Sequence, residues 1–165
     1  DSLRLAGLSS ACAVLEMALP ERESHPEIYE SLFNFIANLE SETWLEDYVH
    51  WEIDLLADLG FGLDLTSCAS TGQSDELIYV SPKSGQAVST TAGEPYKDKL
   101  LALPGFLQEA VETPAKIDFE AIFQGLNLTS YFMDRNVFIH SKNGAPPART
   151  RLVDRVKQKH TLSGN

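Results

Sequence analysis

The sequence predicts a mainly α-helical bundle with a small β-hairpin inserted near its middle, and three observations support this fold class. Apolar residues recur at three- and four-residue steps over residues 3–59, which is the spacing of amphipathic helices. That period is lost over residues 61–96, which hold much of the Gly, Ser and Thr. Helical spacing returns over residues 119–139. We therefore expect helices on both sides of a short β segment.

Three helices are predicted in the first part of the chain. The first stops before Pro20, because proline cannot continue a helix. The second opens at Ser24-His25-Pro26, a capping residue followed by proline in the first turn. The third starts at Ser41 and ends at Gly60, a residue type that commonly follows a helix C-terminus. The predicted core-facing residues are Leu5, Leu8, Cys12, Leu15 and Leu19 in the first helix, Ile28, Leu32, Phe35, Ile36 and Leu39 in the second, and Trp44, Tyr48, Leu55, Leu56 and Leu59 in the third.

The hairpin is predicted within residues 61–96. A short apolar run occupies residues 77–80, and the turn-forming residues 81–85 follow it. The apolar pair Ala87-Val88 then supplies the second strand. This stretch reads as a small β subdomain between helices.

The last third of the chain predicts helices again. Residues 100–106 suggest a short helical piece that Pro104 interrupts. A longer helix is predicted over residues 119–139. Pro146-Pro147 opens a final helix, because proline is well tolerated in a first helical turn. The apolar residues placed to pack in that helix are Leu152, Val153 and Val156.

Composition narrows the class of protein. The 165 residues suffice for one domain with its own core, since 43% of them are hydrophobic. Asp and Glu number 24 against 13 Lys and Arg, and the formal net charge of −11 argues against a domain that coats nucleic acid by itself. No apolar run approaches the ~18 residues of a membrane span, so no membrane partner is expected.

The cysteines indicate the protein's cellular compartment, and the first residue indicates its place in a longer chain. Cys12 and Cys68 are the only cysteines, and Cys12 falls in an apolar helical run. We therefore expect no disulfide framework and a reducing, cytoplasmic environment. The chain begins at Asp1 without a leader segment, so we expect it to be the downstream part of a longer protein.

Positive charge is concentrated near the C-terminus. Residues 134–160 carry seven cations against two carboxylates, a net of +5, so the remaining residues sum to −16. A basic helical tail on an acidic body can bind phosphates or an acidic peptide. The alternative is a helix whose cations face solvent and interact with the body's own carboxylates. The candidate binding residues are Arg135, Lys142, Arg149, Arg151, Arg155, Lys157 and Lys159.

Acidic residues and a histidine line one side of the third helix. Glu46, His50, Asp54 and Asp58 follow at four-residue steps, and Asp47 lies three residues before His50. A carboxylate and imidazole metal site of the helical-bundle kind needs a second acidic-x-x-His element, which the sequence lacks. We interpret the row as a solvated outer face.

No motif of an enzyme is found elsewhere. The sequence contains no Gly-x-Ser-x-Gly elbow, no complete dinucleotide fingerprint and no Gly-Lys-Ser/Thr phosphate-binding run. We therefore expect a protein without catalytic activity.

The hairpin has the layout of a degenerate zinc ribbon. The quartets Cys68-Ala-Ser-Thr71 and Ser89-Thr-Thr-Ala92 flank it, with seventeen residues between them. A four-cysteine ribbon has ligands at these spacings, and here three of the four are replaced. One thiolate cannot hold a structural zinc ion, so the subdomain is expected to be metal-less. The alternative is an ordinary polar hairpin with one buried cysteine.

Six segments, in order along most of the chain, together form a specific pattern. They are ALPERESHP at 18–26, LLADLGFGLDLTSCASTG at 55–72, YVSPKSGQAVS at 79–89, AGEPY at 92–96, LTSYF at 128–132 and PARTRLVD at 147–154. This pattern resembles that of the RecO family of bacterial recombination mediators.

The resemblance implies a domain organisation. Family members join an N-terminal OB-fold to a helical C-terminal domain that often holds a zinc ribbon. Residues 1–165 look like the helical domain alone, with 61–96 as the degenerate ribbon, and the OB-fold is expected before residue 1. Zinc-binding members have cysteines where this chain has Cys68, Thr71, Ser89 and Ala92. Cys68 is thus expected to be a relic, and no metal or other cofactor is expected.

The resemblance also implies a function. RecO proteins are non-enzymatic factors of DNA repair and homologous recombination at the bacterial nucleoid. They bind single- and double-stranded DNA, anneal complementary strands, work with RecR, and help RecA load onto strands covered by single-stranded-DNA-binding protein. They engage the acidic, Phe-ended tail of that protein, for which Arg135 and residues 149–155 are the best-placed cations here. The alternative is an acidic helical adaptor that has no direct role at DNA.

Overall fold

A computed structural model describes residues 1–108 and 116–164. Within them, the helices and strands are α1 (Ser2–Ala18), α2 (Pro26–Ala37), α3 (Trp44–Asp58), β1 (Leu77–Val80), β2 (Ala87–Ser89), α4 (Thr90–Gly93), β3 (Leu101–Ala102), α5 (Phe119–Asn136) and α6 (Pro147–Ser163). The 3₁₀ segments Glu94–Lys99 and Gly105–Leu107 flank β3. The predicted fold class, a mainly α-helical bundle with a small inserted hairpin, is confirmed.

Helix α3 lies at the centre of the bundle and contacts α1, α2 and α5. The faces that meet α1 and α2 bury two tryptophans and a tyrosine, Trp44, Trp51 and Tyr48, each no more than 1% exposed. Phe35 of α2 packs edge-on against Tyr48, with ring centroids 5.5 Å apart, and stacks on Trp51 at 6.4 Å. Such large aromatic side chains bury much apolar surface and contribute strongly to the stability of a small core.

Helix α1 buries a different face from the one predicted. Leu5 and Cys12 are exposed, whereas the buried residues are small ones together with Val14. The physical reason is close approach: a Cβ atom added to Gly7 would lie 2.5 Å from the ring of Trp44. Small side chains allow α1 to lie against α3 and α6, and the larger leucines remain at the rim. The buried positions are Gly7, Ser10, Ala11 and Val14.

The third helix begins at Trp44, three residues after the predicted start. Ser41 instead forms a turn, in which its backbone N–H donates to the Asn38 carbonyl and its hydroxyl accepts from the Thr43 N–H. Such local hydrogen bonds compete with helix formation. At the other end the helix stops at Asp58, and Gly60 has a φ of +90°, as the predicted C-terminal glycine requires.

The hairpin strands lie as predicted, and a third strand joins them. The sheet order is β2-β1-β3 with antiparallel pairing, and Tyr79 faces Val88 on one side and Ala102 on the other. The helical piece predicted at 100–106 is therefore wrong. Its apolar residues gain a strand partner, Pro104 prevents a continuous helix, and only a 3₁₀ turn remains.

The last two helices complete the bundle. Helix α5 packs on α3 and α6, and α6 also packs along α1. The Asp118 carboxylate caps α5 by accepting from the backbone N–H groups of Glu120 and Ala121. Leu152 and Val156 of α6 are fully buried, as predicted.

Candidate functional site

The clearest candidate binding site is an open cavity of about 570 Å³ where the hairpin turn meets α5. We call it the α5 groove. Arg135 and Tyr131 of α5 form one wall, and the hairpin turn and the 3₁₀ segment after α4 form the other. None of the described residues that line it is acidic. The lining residues are Ser81, Pro82, Lys83, Tyr96, Lys99, Leu100, Tyr131 and Arg135.

Local structure positions the α5 side of the groove. Tyr131 and Arg135 are four residues apart on one helix and therefore project from the same face. One Arg135 Nη1–H donates to the Pro82 carbonyl oxygen at 2.6 Å, which ties α5 to the hairpin turn. The remaining N–H groups of this exposed guanidinium are available to a ligand. Tyr131 is 40% exposed and packs edge-on against Phe132, with centroids 5.1 Å apart.

The chemistry of the groove combines cations with aromatic surface. Tyr96 is 62% exposed, and Lys83 and Lys99 are exposed beside it. Guanidinium and ammonium groups form charge-assisted hydrogen bonds with carboxylates, and aromatic rings pack against an apolar side chain. The arrangement suits a ligand that carries both carboxylates and an aromatic or apolar group.

Of the seven predicted cations, Arg149 is the one that the structure removes from the candidates. Its side chain is 3% exposed and forms an ion pair with Glu52, with Nε donating to Oε1 at 2.7 Å. Burial lowers the pKa of Arg149, but the Glu52 carboxylate outweighs this effect and the pKa rises. This cation is therefore satisfied inside the protein and does not reach a ligand.

Arg151 and Arg155 lie at a different place from Arg135. Both line a cavity of about 190 Å³ between α1 and α6, together with Leu5 and small side chains. An Arg155 Nη1–H donates to the Ser2 carbonyl oxygen at 2.7 Å. The α5 groove and this cavity share no lining residue, so the structure does not unite the predicted cations in one site.

The other predicted cations are exposed and line neither cavity. Lys142 follows α5 in the connection to α6, and Lys157 and Lys159 lie in the second half of α6. Sequence reasoning missed Tyr96, Lys83 and Lys99, because the groove is assembled from segments distant in the chain. The Tyr131 and Arg135 spacing was the one available signal.

Hydrogen bonds link the four positions to which the resemblance assigns the ribbon ligands. Cys68 Sγ is 3.6 Å from Ser89 Oγ and accepts a hydrogen bond from the Ser89 backbone N–H at 3.3 Å. Ser89 Oγ in turn accepts from the backbone N–H of Ala92 at 3.4 Å. Burial raises the pKa of Cys68, but hydrogen bonds from Thr71 and Ser89 outweigh burial and lower it to about 6. Cys68, Thr71 and Ser89 thus form one hydrogen-bonded cluster.

The acidic row of α3 does not form a metal cluster. The Asp58 carboxylate accepts from His25 Nδ1–H at 2.8 Å, and His50 Nε2 lies 3.2 Å from the Phe106 carbonyl oxygen. Across residues 1–108 and 116–164, no three His, Cys, Asp or Glu side chains converge closely enough to hold a metal ion. Among the same residues, no helix combines the length and the hydrophobicity that a membrane-spanning segment needs.

Several bacterial proteins that share one name are similar to this chain over nearly its whole length. The DNA repair protein RecO of Rhodospirillum centenum is 52% identical over 166 residues, which cover 99% of this chain and 65% of that protein. The RecO protein of Caulobacter vibrioides NA1000 is 48% identical over 163 residues, which cover 98% of this chain and 66% of that protein. The RecO protein of Rhodospirillum rubrum is 42% identical over 164 residues, which cover 96% of this chain and 64% of that protein. The chain spans a little under two thirds of each relative. No solved structure matches the chain significantly.

The family comparison points the same way. The family described as "Recombination protein O C terminal" matches residues 1–144, which include the hairpin, both ribbon quartets and all of α5. The family match includes helices α1 to α5 but not α6. Helix α6 lies in the part of the chain that aligns with the relatives named above. The chain therefore belongs to the RecO family, as its C-terminal helical part.

Proposed function

We propose that this chain serves DNA repair and homologous recombination as a non-enzymatic mediator, and that its α5 groove binds the acidic, Phe-ended tail of single-stranded-DNA-binding protein. The names of the relatives support the first part of the proposal. The observation that carries the second is the combination of Lys83, Lys99 and Arg135 with exposed tyrosines around one cavity.

Arg135 is the central residue of this proposal. Its hydrogen bond to the Pro82 carbonyl oxygen fixes the guanidinium at the groove, so less side-chain entropy is lost when a carboxylate binds. The tail's terminal carboxylate and neighbouring aspartates would meet the three cations, and its phenylalanine would pack between Tyr96 and Tyr131. The cavity volume of about 570 Å³ suits a short peptide end.

Fluorescence polarisation with a labelled acidic, Phe-ended peptide tests the proposal. We expect R135A/K99A to weaken binding at least tenfold, because two charge-assisted contacts are lost. R151A/R155A removes the same number of charges at the α1–α6 cavity and should leave the affinity nearly unchanged. Equal loss in both double variants would contradict the groove and indicate attraction by net charge alone.

We further propose that α6 provides an auxiliary contact to single- and double-stranded DNA through Arg151, Arg155, Lys157 and Lys159. Because phosphate binding releases counterions, binding of single-stranded DNA by this chain should be weak and lost between about 50 and 200 mM salt. R151E/R155E should abolish it. If that variant loses stability while DNA binding persists, the acidic adaptor without a direct DNA role would be favoured.

The remaining activities of the family are proposed for the longer protein. We propose that strand annealing and RecA loading with RecR, at the nucleoid in the cytoplasm, need the OB-fold that provides most DNA affinity. Annealing by this chain alone, at the rate of a full-length relative, would contradict that division. Nanomolar DNA affinity of the chain that persists at the higher salt would contradict it as well.

A further inference from the structure

A second groove, of opposite charge, lies between α2 and α3. It consists of two adjoining cavities of about 330 and 130 Å³, and Asp54 lines both. Glu27 and Asp58 line the larger cavity, and Asp47 lines the smaller. None of the described residues that line either cavity is Lys or Arg. We call this the α2–α3 groove, and it shares no lining residue with the α5 groove.

Three of its four carboxylates lack a cationic partner. Asp58 is engaged by His25, but Glu27, Asp47 and Asp54 form no ion pair with Lys or Arg among residues 1–108 and 116–164. Partial burial raises the pKa of Asp47 and Asp54, although the nearby His50 opposes the shift. Ionised carboxylates held at such a cost gain when a cation binds beside them.

An independent observation in the same groove concerns Trp51. Its indole lines the smaller cavity, the residue is 1% exposed, and Nε1–H has no hydrogen-bond partner within the described part of the chain. The Ser31 hydroxyl, which lines the cavity too, is also buried without a partner. The N–H is closed to solvent in this structure, so a ligand acceptor reaches it only when the indole or its neighbours shift. Because a buried unpaired donor is unfavourable, pairing with such an acceptor favours that shift.

The two observations restrict the ligand class. A bare metal ion would satisfy the carboxylates but would leave the Trp51 donor unpaired. A peptide segment meets both requirements. Its main-chain carbonyl accepts a hydrogen bond from the indole, and a basic side chain brings a positive charge to the carboxylates. Cavities of this size admit side chains and an extended backbone, whereas a whole helix is about 10–12 Å across.

We propose that the α2–α3 groove binds an extended, arginine- or lysine-bearing segment of a partner protein, whose basic side chain pairs with Asp47 and Asp54. A carbonyl oxygen of the segment accepts the hydrogen bond from Trp51 Nε1. The charge of −16 outside residues 134–160 favours the approach of such a segment. This surface is separate from the proposed tail-binding groove, and neither proposal depends on the other.

The test uses the full chain and a short peptide that alternates arginine with glycine. An otherwise identical peptide with citrulline, which is neutral and of nearly the same shape, is the ligand control. The chain has two tryptophans, so a ¹H–¹⁵N spectrum shows two indole signals. We expect the arginine peptide to shift the Trp51 indole signal and leave that of Trp44 in place. The citrulline peptide should shift neither.

Two charge-matched variants complete the test. D47N/D54N should weaken binding of the arginine peptide at least fivefold, and it should fold, since the raised pKa values mean that neutral side chains suit these sites. E16Q/E30Q removes two exposed carboxylates outside the groove and should retain binding. Equal weakening in both variants, or an unmoved Trp51 signal, would overturn the proposal. Self-association of the chain that D47N/D54N abolishes would also overturn it, in favour of a second copy as the occupant.

Discussion

Arg149 of α6 and Glu52 of α3, 97 residues apart in the chain, form a two-point ion pair inside the helical bundle. Arg149 Nε donates to Glu52 Oε1 at 2.7 Å, and Nη2 donates to Oε2 at 2.9 Å. Nη1 donates to the Ser130 hydroxyl at 2.7 Å, and the Tyr48 hydroxyl donates to Glu52 Oε1 at 2.8 Å. Since Tyr48 also bonds Ser10 at 2.7 Å, one network joins α1, α3, α5 and α6.

We expect Arg149→Met to destabilise the protein by about 3–5 kcal/mol, because it leaves the Glu52 charge buried without its partner. Urea unfolding followed by circular dichroism measures the change. Below the unfolding transition, binding of the acidic peptide by folded molecules should match that of the unaltered protein, since Arg149 does not reach the α5 groove.

The same measurement has two controls. Arg151→Met changes an exposed residue two positions away and should alter the free energy of unfolding by less than about 0.5 kcal/mol. E52L/R149M removes both charges and should recover part of the loss, because buried ion pairs are often replaceable by apolar pairs. A stability of Arg149→Met close to that of Arg151→Met would show that Arg149 has no structural role.

Arg149 illustrates why the fold could be predicted better than the site. Helix periods and proline positions are local signals, and they located five of the six α-helices to within a few residues. The four-residue helix α4 was not predicted. Whether a cation faces solvent depends on a carboxylate 97 residues earlier in the chain, and no local pattern reports it. The strand at Leu101–Ala102 was missed for the same reason, since its partner is β1.

We expect the Cys68 thiol to titrate near pH 6, well below the ~8.5 of a thiol in an unfolded chain. Burial raises its pKa, but the hydrogen bonds from Thr71 and Ser89 outweigh burial. The ultraviolet absorbance of the thiolate reports this titration. Cys12→Ser removes the other, exposed thiol and makes the signal specific. A midpoint at or above pH 8 would contradict the proposed hydrogen-bond stabilisation.

The depressed pKa also fixes the sign of a stability change with pH. The folded state releases the thiol proton more readily than the unfolded state, so the thiolate contributes stability above pH ~8.5. That contribution is lost as the pH falls through about 6. The difference in unfolding free energy between Cys12→Ser and C12S/C68S should therefore grow from pH 6 to pH 8.5. A difference that stays constant or shrinks would contradict this sign.

The ribbon positions permit a gain-of-function experiment. Two thiolates bound tetrahedrally to zinc at ~2.3 Å lie ~3.8 Å apart, and Cys68 Sγ and Ser89 Oγ are already 3.6 Å apart. We expect T71C/S89C/A92C to bind one zinc ion per chain and to gain thermal stability that a chelator reverses, because the metal binds only the folded state.

Elemental analysis and calorimetry decide the outcome. T71C/S89C, with three thiols and Ala92 unchanged, is the matched control and should bind zinc more weakly, because a closed structural site takes four protein ligands. We expect the unaltered chain to contain no stoichiometric zinc, because Cys68 is the one thiol at the four positions. One zinc per unaltered chain would contradict the degenerate ribbon. A reduced triple variant that binds no zinc would show that the hairpin is an ordinary polar one, whose backbone does not hold the ribbon geometry.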